Sequence, residues 1–406
     1  MKFLLSIVMG VVMMLCASTA LAEQEIIEAD GSYVMDSRLD ETAASATARA
    51  REEAKRAAVD KAGVYLEAYA KTVNMELERD EIRTVTAHFL KVLEEKPSVA
   101  VIQDNLLEFT VHIKALVDVS DAERLKAMMQ DKTQLEIMSA QNRELQTKYD
   151  ELKAQMEALK KNYDSADESQ RAQLKREAAR NDEIFKAMQL LEEGNGFYLS
   201  GDYSRALDCY NRSIDINRTS ADAYDNRGLT YYHLNRTSEA IADFTRAIEL
   251  NNSFAYAYNN RGLARQAAGS SEAALADYTR ALSINPKFVV ALNNRANTYA
   301  ALGQSQNALN DLQAALNLEP SSAEAHNNLG SVYVTMNRLD EALSEYSTAL
   351  KLKPNYASAF YNRGWVYYRQ GKYSEALNDA QRAAALEPNN SAFRELVGRV
   401  QSKLSR

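Results

Sequence analysis

The chain has 406 residues and a formal net charge of −8, from 48 Lys and Arg against 56 Asp and Glu. This acidic balance argues against a general nucleic-acid binder, which would carry an excess of basic residues. Glycine (14) and proline (5) are scarce. Their scarcity favours long helices and excludes an all-β fold, because the many turns of such a fold need both residues.

Residues 1–22 have the pattern of an export signal. Lys2 precedes an apolar run over 3–17, and a small-x-small cleavage site ends at Ala22. The run is shorter than the roughly 20 residues that a membrane helix needs. Cleavage is favoured over lipid attachment at Cys16, because Leu15 stands where a lipidation site needs a small residue. We therefore expect a mature chain without a membrane span, located in the periplasm or cell envelope.

Residues 23–120 predict a small α+β domain. The expected elements are a strand over 26–36, helices over 41–73 and 79–94, and a hairpin with arms 98–103 and 106–117. Alanines recur near one face of the first helix and would let it lie close against a sheet: Ala50, Ala54, Ala57, Ala58 and Ala62. Apolar and polar residues alternate from Leu107 to Val117, which indicates a strand with one wet face.

Two stretches of this domain carry a family resemblance. ADGSYVM at 29–35 and ARAREEAKRAAVDKAGVYLEAY at 48–69 resemble the N-terminal domain of flagellar assembly protein T and of LPP20-type envelope lipoproteins. The resemblance covers under a quarter of the chain and rests on helix composition. It implies the fold of the domain and an envelope setting, and it implies no functional residues.

Residues 121–186 predict a coiled coil with a linker helix. Two rows repeat every seven positions with an offset of three: Met128, Leu135, Asn142, Tyr149, Met156 and Tyr163, and Met138, Leu145, Leu152 and Leu159. They are the a and d positions of a heptad repeat, and an Asn in the a row favours two-stranded pairing. We predict a parallel homodimer through residues 128–163. The alternative is a long helix that folds back on its own chain, for which the same rows serve.

Residues 187–390 contain six repeats of 34 residues. Small residues recur at this period in rows, of which two are Gly194, Gly228, Gly262, Ala296, Gly330 and Gly364, and Ala206, Ala240, Ala274, Ala308, Ala342 and Ala376. The pattern identifies the segment as a member of the tetratricopeptide repeat (TPR) family, which implies two helices, A and B, in each repeat. The predicted fold is therefore mainly α, a six-repeat TPR α-solenoid with a capping helix over 391–406.

One pair of positions changes together from repeat to repeat. An arginine precedes the small residue of helix A, and an aspartate follows sixteen positions after the arginine, in four repeats: Arg227 with Asp243, Arg261 with Asp277, Arg295 with Asp311, and Arg363 with Asp379. Where the arginine is absent, so is the aspartate, since Leu329 goes with Glu345. We predict an ion pair between helices A and B of each of these four repeats, with a structural role.

The TPR resemblance implies that helices A line a concave groove, and asparagines mark that face. They occupy one position of helix A in five repeats and the preceding position in three: Asn226, Asn260, Asn294, Asn328 and Asn362, and Asn259, Asn293 and Asn327. An amide both donates and accepts, so it can hold a peptide backbone whatever the side chains. The rows are similar to the asparagine ladder of O-linked GlcNAc transferase. The alternative is that they satisfy neighbouring helix ends or face water.

Two other features of the repeats bear on how a partner could bind. The carboxylate clamp of chaperone adaptors is excluded, because Leu191, Tyr256 and Asn260 stand where that clamp needs cations. An aromatic and cationic patch near the C-terminus is a second candidate contact site, formed by Trp365, Tyr368 and Arg369. Its alternative is a partly packed last repeat.

No motif for catalysis stands out. The sequence has no Walker loop, no dinucleotide glycine motif and no His-x-x-x-His pair. We expect no enzyme, no cofactor and no metal site, and we expect a protein or an extended peptide as the partner. The predicted function is a non-enzymatic protein-interaction scaffold of the bacterial cell envelope. The alternative is a periplasmic carrier or holdase chaperone for unfolded exported chains.

Overall fold

The structure is a computed structural model, and it describes residues 24–72, 77–103, 105–118 and 132–405. The chain divides into two compact units, Met1–Ser200 with Arg212–Arg218, and Gly201–Asn211 with Thr219–Arg406. The predicted export signal and the predicted seam residue Met128 lie outside the described residues. The domain boundaries drawn from the sequence stay predictions.

A three-stranded antiparallel sheet lies in the first unit. Its strands are β1 (Gln24–Asp36), β2 (Leu90–Gln103) and β3 (Leu106–Asp118), in the order β1-β3-β2. Along the central strand β3, Val111, Ile113 and Ala115 are fully buried, whereas His112 and Lys114 between them are half-buried. The predicted strand with one wet face is confirmed.

The second helix of this unit is shorter than predicted. The first helix, α1, spans Ala43–Thr72, and the second, α2, spans Arg79–Phe89 instead of 79–94. The chain enters β2 at Leu90, because residues 90–92 pair with the end of β3 and pack on the core. Pro97 lies inside β2 and does not end it. An edge strand tolerates proline, because one side of the strand has no ladder hydrogen bond to lose.

Helix α1 packs directly on the sheet through its alanines. Ala50, Ala54, Ala58 and Ala62 are 0% exposed. At Gly31 of β1, an added Cβ would lie 2.1 Å from the backbone N of Ala54 and 2.3 Å from the carbonyl O of Ala50. Backbone therefore touches backbone here, and only glycine facing alanine allows that approach. The close helix–sheet contact predicted from the small residues is confirmed.

The predicted coiled-coil segment forms two long helices, α3 (Lys132–Tyr163) and α4 (Glu168–Leu199). Tyr149 and Leu152 of the seam pack with Phe185 and Met188 of α4. The Nδ2 of Asn142, the polar residue of the a row, donates to Thr84 Oγ1 of α2 at 3.3 Å. The described seam therefore contacts its own chain, which was the alternative to the dimer. The predicted dimer would need side chains that this packing already uses.

Helix pairs fill the C-terminal part of the chain. The helices are α5 (Tyr203–Ile216), α6 (Ala221–His233), α7 (Thr237–Leu250), α8 (Ala255–Ala267), α9 (Ser271–Ile284), α10 (Val289–Ala301), α11 (Ser305–Leu318), α12 (Ala323–Thr335), α13 (Leu339–Leu352), α14 (Ala357–Arg369), α15 (Tyr373–Leu386) and α16 (Ser391–Leu404). From α6 to α15 they alternate as helices A and B of repeats 2 to 6, and α16 packs on α15 as the expected cap. No helix in the described residues is long and apolar enough to cross a bilayer.

The small-residue row of helix A sets how closely the two helices of a repeat approach. At Gly262, an added Cβ would lie 2.6 Å from the ring of the fully buried Tyr278. In repeat 4 the aromatic ring is replaced by Leu312, and the small residue is Ala296. The size of one side chain therefore compensates for the size of the other.

Another row with the 34-residue period lies just after the end of each helix A. Its members have positive φ: Gly201, Asn235, Gly269, Gly303, Asn337 and Gly371. At Gly269 the backbone N–H donates to Gln266 O at 2.9 Å, which satisfies a carbonyl of the last helical turn. Sequence reasoning missed this row, although Gly and Asn, the residues that tolerate positive φ, recur visibly at this spacing.

Candidate functional site

The predicted arginine–aspartate pairs are formed in all four repeats that carry them. In repeat 4, Arg295 donates Nε to Asp311 Oδ2 and Nη2 to Asp311 Oδ1, both at 2.7 Å. The arginines 227, 261 and 363 hold their aspartates in the same two-bonded arrangement at 2.7–3.0 Å. The Asp311 carboxylate raises the pKa of the Arg295 guanidinium by hydrogen bonding, against the opposing effect of burial. These arginines are therefore held inside the array.

The same arginines also join neighbouring repeats, which the sequence did not indicate. The third nitrogen, Nη1, donates to helix B of the preceding repeat, sixteen residues earlier. Its acceptors are Asn211 at 2.8 Å, Thr245 at 3.2 Å, Thr279 at 3.1 Å and Ser347 at 3.1 Å. One guanidinium thus fixes three helices, which explains why these charges are not offered to a ligand.

Repeat 5 lacks this connection. Leu329 stands in the arginine position and is 4% exposed in the largest apolar cluster of the array. Glu345, in the aspartate position, pairs instead with His326, whose Nδ1 lies 2.6 Å from its Oε2. Helices A and B of repeat 5 are therefore still joined by a polar pair, but without an arginine that reaches three helices. A different bond joins this helix A to helix B of repeat 4, between Thr335 Oγ1 and Ser305 Oγ at 3.0 Å.

The asparagines lie on helices A in two rows that differ in exposure. The main row is Asn226, Asn260, Asn294, Asn328 and Asn362, and the preceding row is Asn259, Asn293 and Asn327. Asn226, Asn259 and Asn327 are buried, at 8%, 2% and 6% exposure. Asn293 is half-buried. The later members of the main row are half-buried as well: Asn260, Asn294, Asn328 and Asn362. The preceding row thus lies mostly deeper, and the main row is at the surface in repeats 3 to 6.

The two rows are linked from one repeat to the next. Asn294 donates Nδ2 to Asn259 Oδ1 at 3.0 Å, and Asn362 donates Nδ2 to Asn327 Oδ1 at 3.1 Å. Asn260 makes the same step to Asp225, with both carboxylate oxygens at 3.1 Å. Each link joins residues 35 apart, so the main row of one repeat is tied to the preceding row of the repeat before it. From the sequence, these asparagines were expected either to bind a peptide or to satisfy neighbouring helix ends, and neither prediction included links between the rows.

The links leave part of each amide available. A side-chain NH2 has two donors and its carbonyl has two lone pairs, and each link uses one N–H of the main-row asparagine. The helix A residues at and beside the main row in repeats 3 to 5 are uncharged, except for the held arginines. The arrangement therefore offers a line of amide donors and acceptors without a net charge.

The predicted C-terminal patch is packed against the cap. The Trp365 ring lies 5.5 Å from the Tyr368 ring, and Arg399 of α16 lies 5.6 Å from the centroid of the Trp365 ring. Both aromatic residues border the apolar cluster that holds Leu396 of α16. Arg369 is exposed and donates to Asn337 at 3.2 Å. The patch keeps half-exposed rings, and much of their surface is used to seat the last helix.

The first unit holds a separate group of buried charged residues. Arg49 is 5% exposed, donates Nη2 to Asp182 at 2.8 Å, and lies 4.6 Å from the Phe185 ring centroid. Lys160 donates to the hydroxyl of Tyr33 at 2.9 Å. These contacts hold α3 and α4 against α1 and the sheet, so the charges have a structural role.

A small cavity lies within this group. It measures about 20 Å³ and is lined by Arg49, Glu52, Arg56 and Tyr149 among others, which leaves room for roughly one water molecule. Burial, and next the nearby Glu192 carboxylate, raise the pKa of Glu52 to about 7. The cavity is too small for an organic substrate. Within the described residues, no three His, Cys, Asp or Glu side chains are placed to hold a metal ion.

Comparison with known families assigns the repeats. Family models described as TPR repeat match residues 194–235, 228–269, 296–337 and 330–371. Models described as tetratricopeptide repeat match residues 255–288, 277–310 and 357–390. No curated protein matches the chain. The resemblance of residues 29–69 to flagellar assembly protein T and LPP20-type lipoproteins stays a prediction.

Several solved structures are similar to part of this chain. The APC/C hetero-tetramer Cut9-Hcn1 is 21% identical with a TM-score of 0.50, and the match covers 55% of this chain and 45% of that chain. YrrB, described as a TPR protein with an unusual peptide-binding site, is 26% identical over 46% of this chain and 96% of its own, with a TM-score of 0.37. PilF of Pseudomonas aeruginosa is 14% identical over 54% of this chain and 99% of its own, with a TM-score of 0.47.

Proposed function

We propose that this protein is an exported, non-enzymatic scaffold of the bacterial cell envelope. The scaffold role rests on residues 194–390, which are a TPR repeat array, a fold that serves protein–protein interaction. The partner contributes an extended segment, and the helices A of the array bind it. The asparagines of the main row contact the backbone of that segment.

One observation carries the proposal: the main row reaches the surface in four successive repeats and is uncharged. Asn260, Asn294 and Asn362 each spend one N–H on the link to the preceding repeat, which fixes the amide in place. A fixed amide loses little conformational entropy when it binds. Amides spaced by one repeat and without net charge suit an extended backbone, whose peptide groups each offer one donor and one acceptor.

Export and the envelope location rest on the sequence. The pattern over 1–22 supports a cleaved signal, and the resemblance of residues 29–69 supports an envelope setting. In this proposal the α+β domain docks on another envelope component. Dimerisation through residues 128–163 is not part of the proposal, since the buried seam residues Tyr149, Leu152 and Met156 contact the chain's own helices.

The test is a crosslinking pull-down from living cells, read by mass spectrometry. The wild type is compared with the triple variant Asn260→Ala, Asn294→Ala, Asn328→Ala, after circular dichroism shows that the variant is folded. The matched control replaces three exposed asparagines outside the rows, Asn252, Asn310 and Asn389.

Three outcomes separate the hypotheses. One dominant partner that is lost in the triple variant and kept in the control supports a specific scaffold. A broad set of exported proteins, all reduced in the triple variant, supports the alternative of a carrier or holdase, because backbone recognition by amides tolerates many sequences. An unchanged set of proteins contradicts binding through the main row.

A further inference from the structure

The two edges of the sheet in the first unit differ in how their backbone is used. At the β1 edge, Lys61 of α1 donates to Glu28 O at 2.7 Å. Lys160 of α3 donates to Val34 O of the same strand. Along residues 98–101 of β2, at the other edge, no side chain among the described residues bonds the backbone. Because unpaired N–H and C=O groups of an edge strand can pair with another strand, the β2 edge is open where the β1 edge is occupied.

The open part of β2 also carries apolar side chains. Val99 is 56% exposed, and Val101 is 74% exposed. In the register of the sheet, Val99 lies opposite Phe109 of β3, and Val101 lies opposite Leu107. Directly opposite residues of an antiparallel pair lie on one face, and this is the face on which β3 forms a core with α1. Val99 and Val101 therefore extend that core beyond the part that α1 covers.

Two features limit the open edge to a short segment. Pro97 precedes it and has no N–H to offer to a partner strand. The pairing of β2 with β3 shifts between Val101 and Gln103, and such a bulge bends the strand and ends regular pairing. The open segment is therefore residues 98–101. A short edge between two breaks suits one added strand and does not template a continuous sheet of many copies.

The charges around this segment favour a basic partner. The two ion pairs that precede it are balanced, Lys96 with Glu94 at 2.9 Å and Arg51 with Glu95 at 2.6 Å. Glu108 of β3 lies beside the segment on the face away from α1. Among the described residues, no cation forms an ion pair with Glu108. The unbalanced charge next to the open segment is therefore negative, and a cation on the partner would complement it.

We propose that residues 98–101 of β2 bind one short β-strand of the envelope component on which the α+β domain docks. The strand adds to the edge of the sheet through backbone hydrogen bonds. Its side chains on the α1 face are apolar and cover Val99 and Val101, and a Lys or Arg on its other face approaches Glu108. This inference rests on the docking role proposed for the domain and names the surface that performs it. It does not involve the repeat array.

The test uses the purified full chain and peptides of defined sequence. A phage library of random 12-residue peptides is depleted on the double variant Val99→Ser, Val101→Ser, which also removes peptides that bind the array, and is then selected on the wild type. The best peptide is titrated calorimetrically, together with versions that each carry a methyl group on one backbone nitrogen. The matched control is Val64→Ser, because Val64 of α1 is 67% exposed and lies outside the sheet. Serine is uncharged, so weaker binding cannot come from repulsion of a basic peptide.

The expected peptides alternate apolar residues with Lys or Arg. N-methylation should weaken binding by about tenfold at every second position and have little effect between, because alternate N–H groups of an added strand point at its neighbour. The double variant should bind about tenfold more weakly than the wild type, because the apolar contacts are lost, and Val64→Ser should bind like the wild type. Glu108→Gln should weaken a basic peptide by about threefold.

Several results would contradict the inference. It is wrong if no peptide is enriched, or if the effects of N-methylation do not alternate along the peptide. An unchanged affinity in Glu108→Gln would contradict the basic character of the partner. If light scattering shows a dimer that the double variant dissociates, a second copy of the chain occupies this edge instead.

The same double variant separates this inference from the proposed function in cells. In the crosslinking pull-down, Val99→Ser with Val101→Ser should lose a partner that the triple asparagine variant keeps. If only the asparagine variant loses partners, binding by the array stands and docking through β2 is wrong. If neither variant changes the set of partners, the proposed function is wrong as well.

Discussion

Replacing Arg295 tests whether the arginine row is structural. Its guanidinium holds Asp311 through two bonds of 2.7 Å and Thr279 through one of 3.1 Å. The variant Arg295→Leu copies the residue that occupies this position in repeat 5, and so it keeps an apolar stem. It leaves the Asp311 carboxylate, whose side chain is 10% exposed, without its cation.

The magnitude follows from the burial of the pair. Breaking a fully buried ion pair costs about 3–5 kcal/mol, whereas an exposed pair is worth about 0–1 kcal/mol. The side chains here are 19% and 10% exposed, so we expect a loss of about 2–3 kcal/mol in the free energy of unfolding. The double variant Arg295→Leu, Asp311→Asn should recover part of this loss, because the orphaned charge is removed.

The assay is urea unfolding followed by circular dichroism, with peptide binding measured in parallel. The control is Arg246→Ala, which removes a surface pair with Glu249 whose side chains are 46% and 58% exposed, and we expect no shift of the midpoint. A midpoint for Arg295→Leu that equals the control, together with lost binding, would refute the structural role and make this arginine a ligand contact.

Four further outcomes are expected. Gly262→Ala places a methyl 2.6 Å from the Tyr278 ring and should cost about 1–3 kcal/mol in unfolding free energy. The control Gly196→Ala, whose added methyl has nothing within 4 Å, should cost nothing. Equal urea-unfolding midpoints for the two variants would contradict the packing argument. Gly31→Ala should disrupt the first unit more severely, because the contact is with the backbone of Ala54 and cannot be relieved by a rotamer; a native near-UV spectrum and melting temperature would contradict this. The pKa of Glu52 is raised above its unfolded value, so the folded state holds the proton more tightly, and the free energy of unfolding should fall as the pH rises from about 4.5 to about 7. In urea titrations at several pH values, Glu52→Gln should flatten this dependence of the unfolding free energy on pH. An unchanged dependence would exclude Glu52 as its source. Light scattering on the purified chain should give the mass of a monomer, since the seam packs within the chain; a dimer that Leu152→Glu dissociates without unfolding would show that the seam pairs between chains.

The 34-residue period of the sequence predicts most of the packing between helices in the repeat array. Each repeat of 34 residues makes the same local contacts, so a size constraint at one position appears as a row: glycine where Tyr278 packs, alanine where Leu312 packs. The arginine–aspartate pairs were visible for the same reason, because both members change together between repeats. The alternation along β3 and the alanines of α1 likewise express contacts that are periodic along the chain.

Tertiary structure decided the features that depend on where non-periodic segments meet. The end of α2 at Phe89 follows from pairing of β2 with β3, which overrides the helical pattern of residues 90–94. A heptad row buries equally well against a second copy or against its own chain, and in the structure Tyr149 of this row packs with Phe185 of the same chain. The asparagines are identical as letters, yet Asn259 accepts a bond from the next repeat while Asn293 does not. That difference depends on how the helices of each junction pack, which no single position encodes.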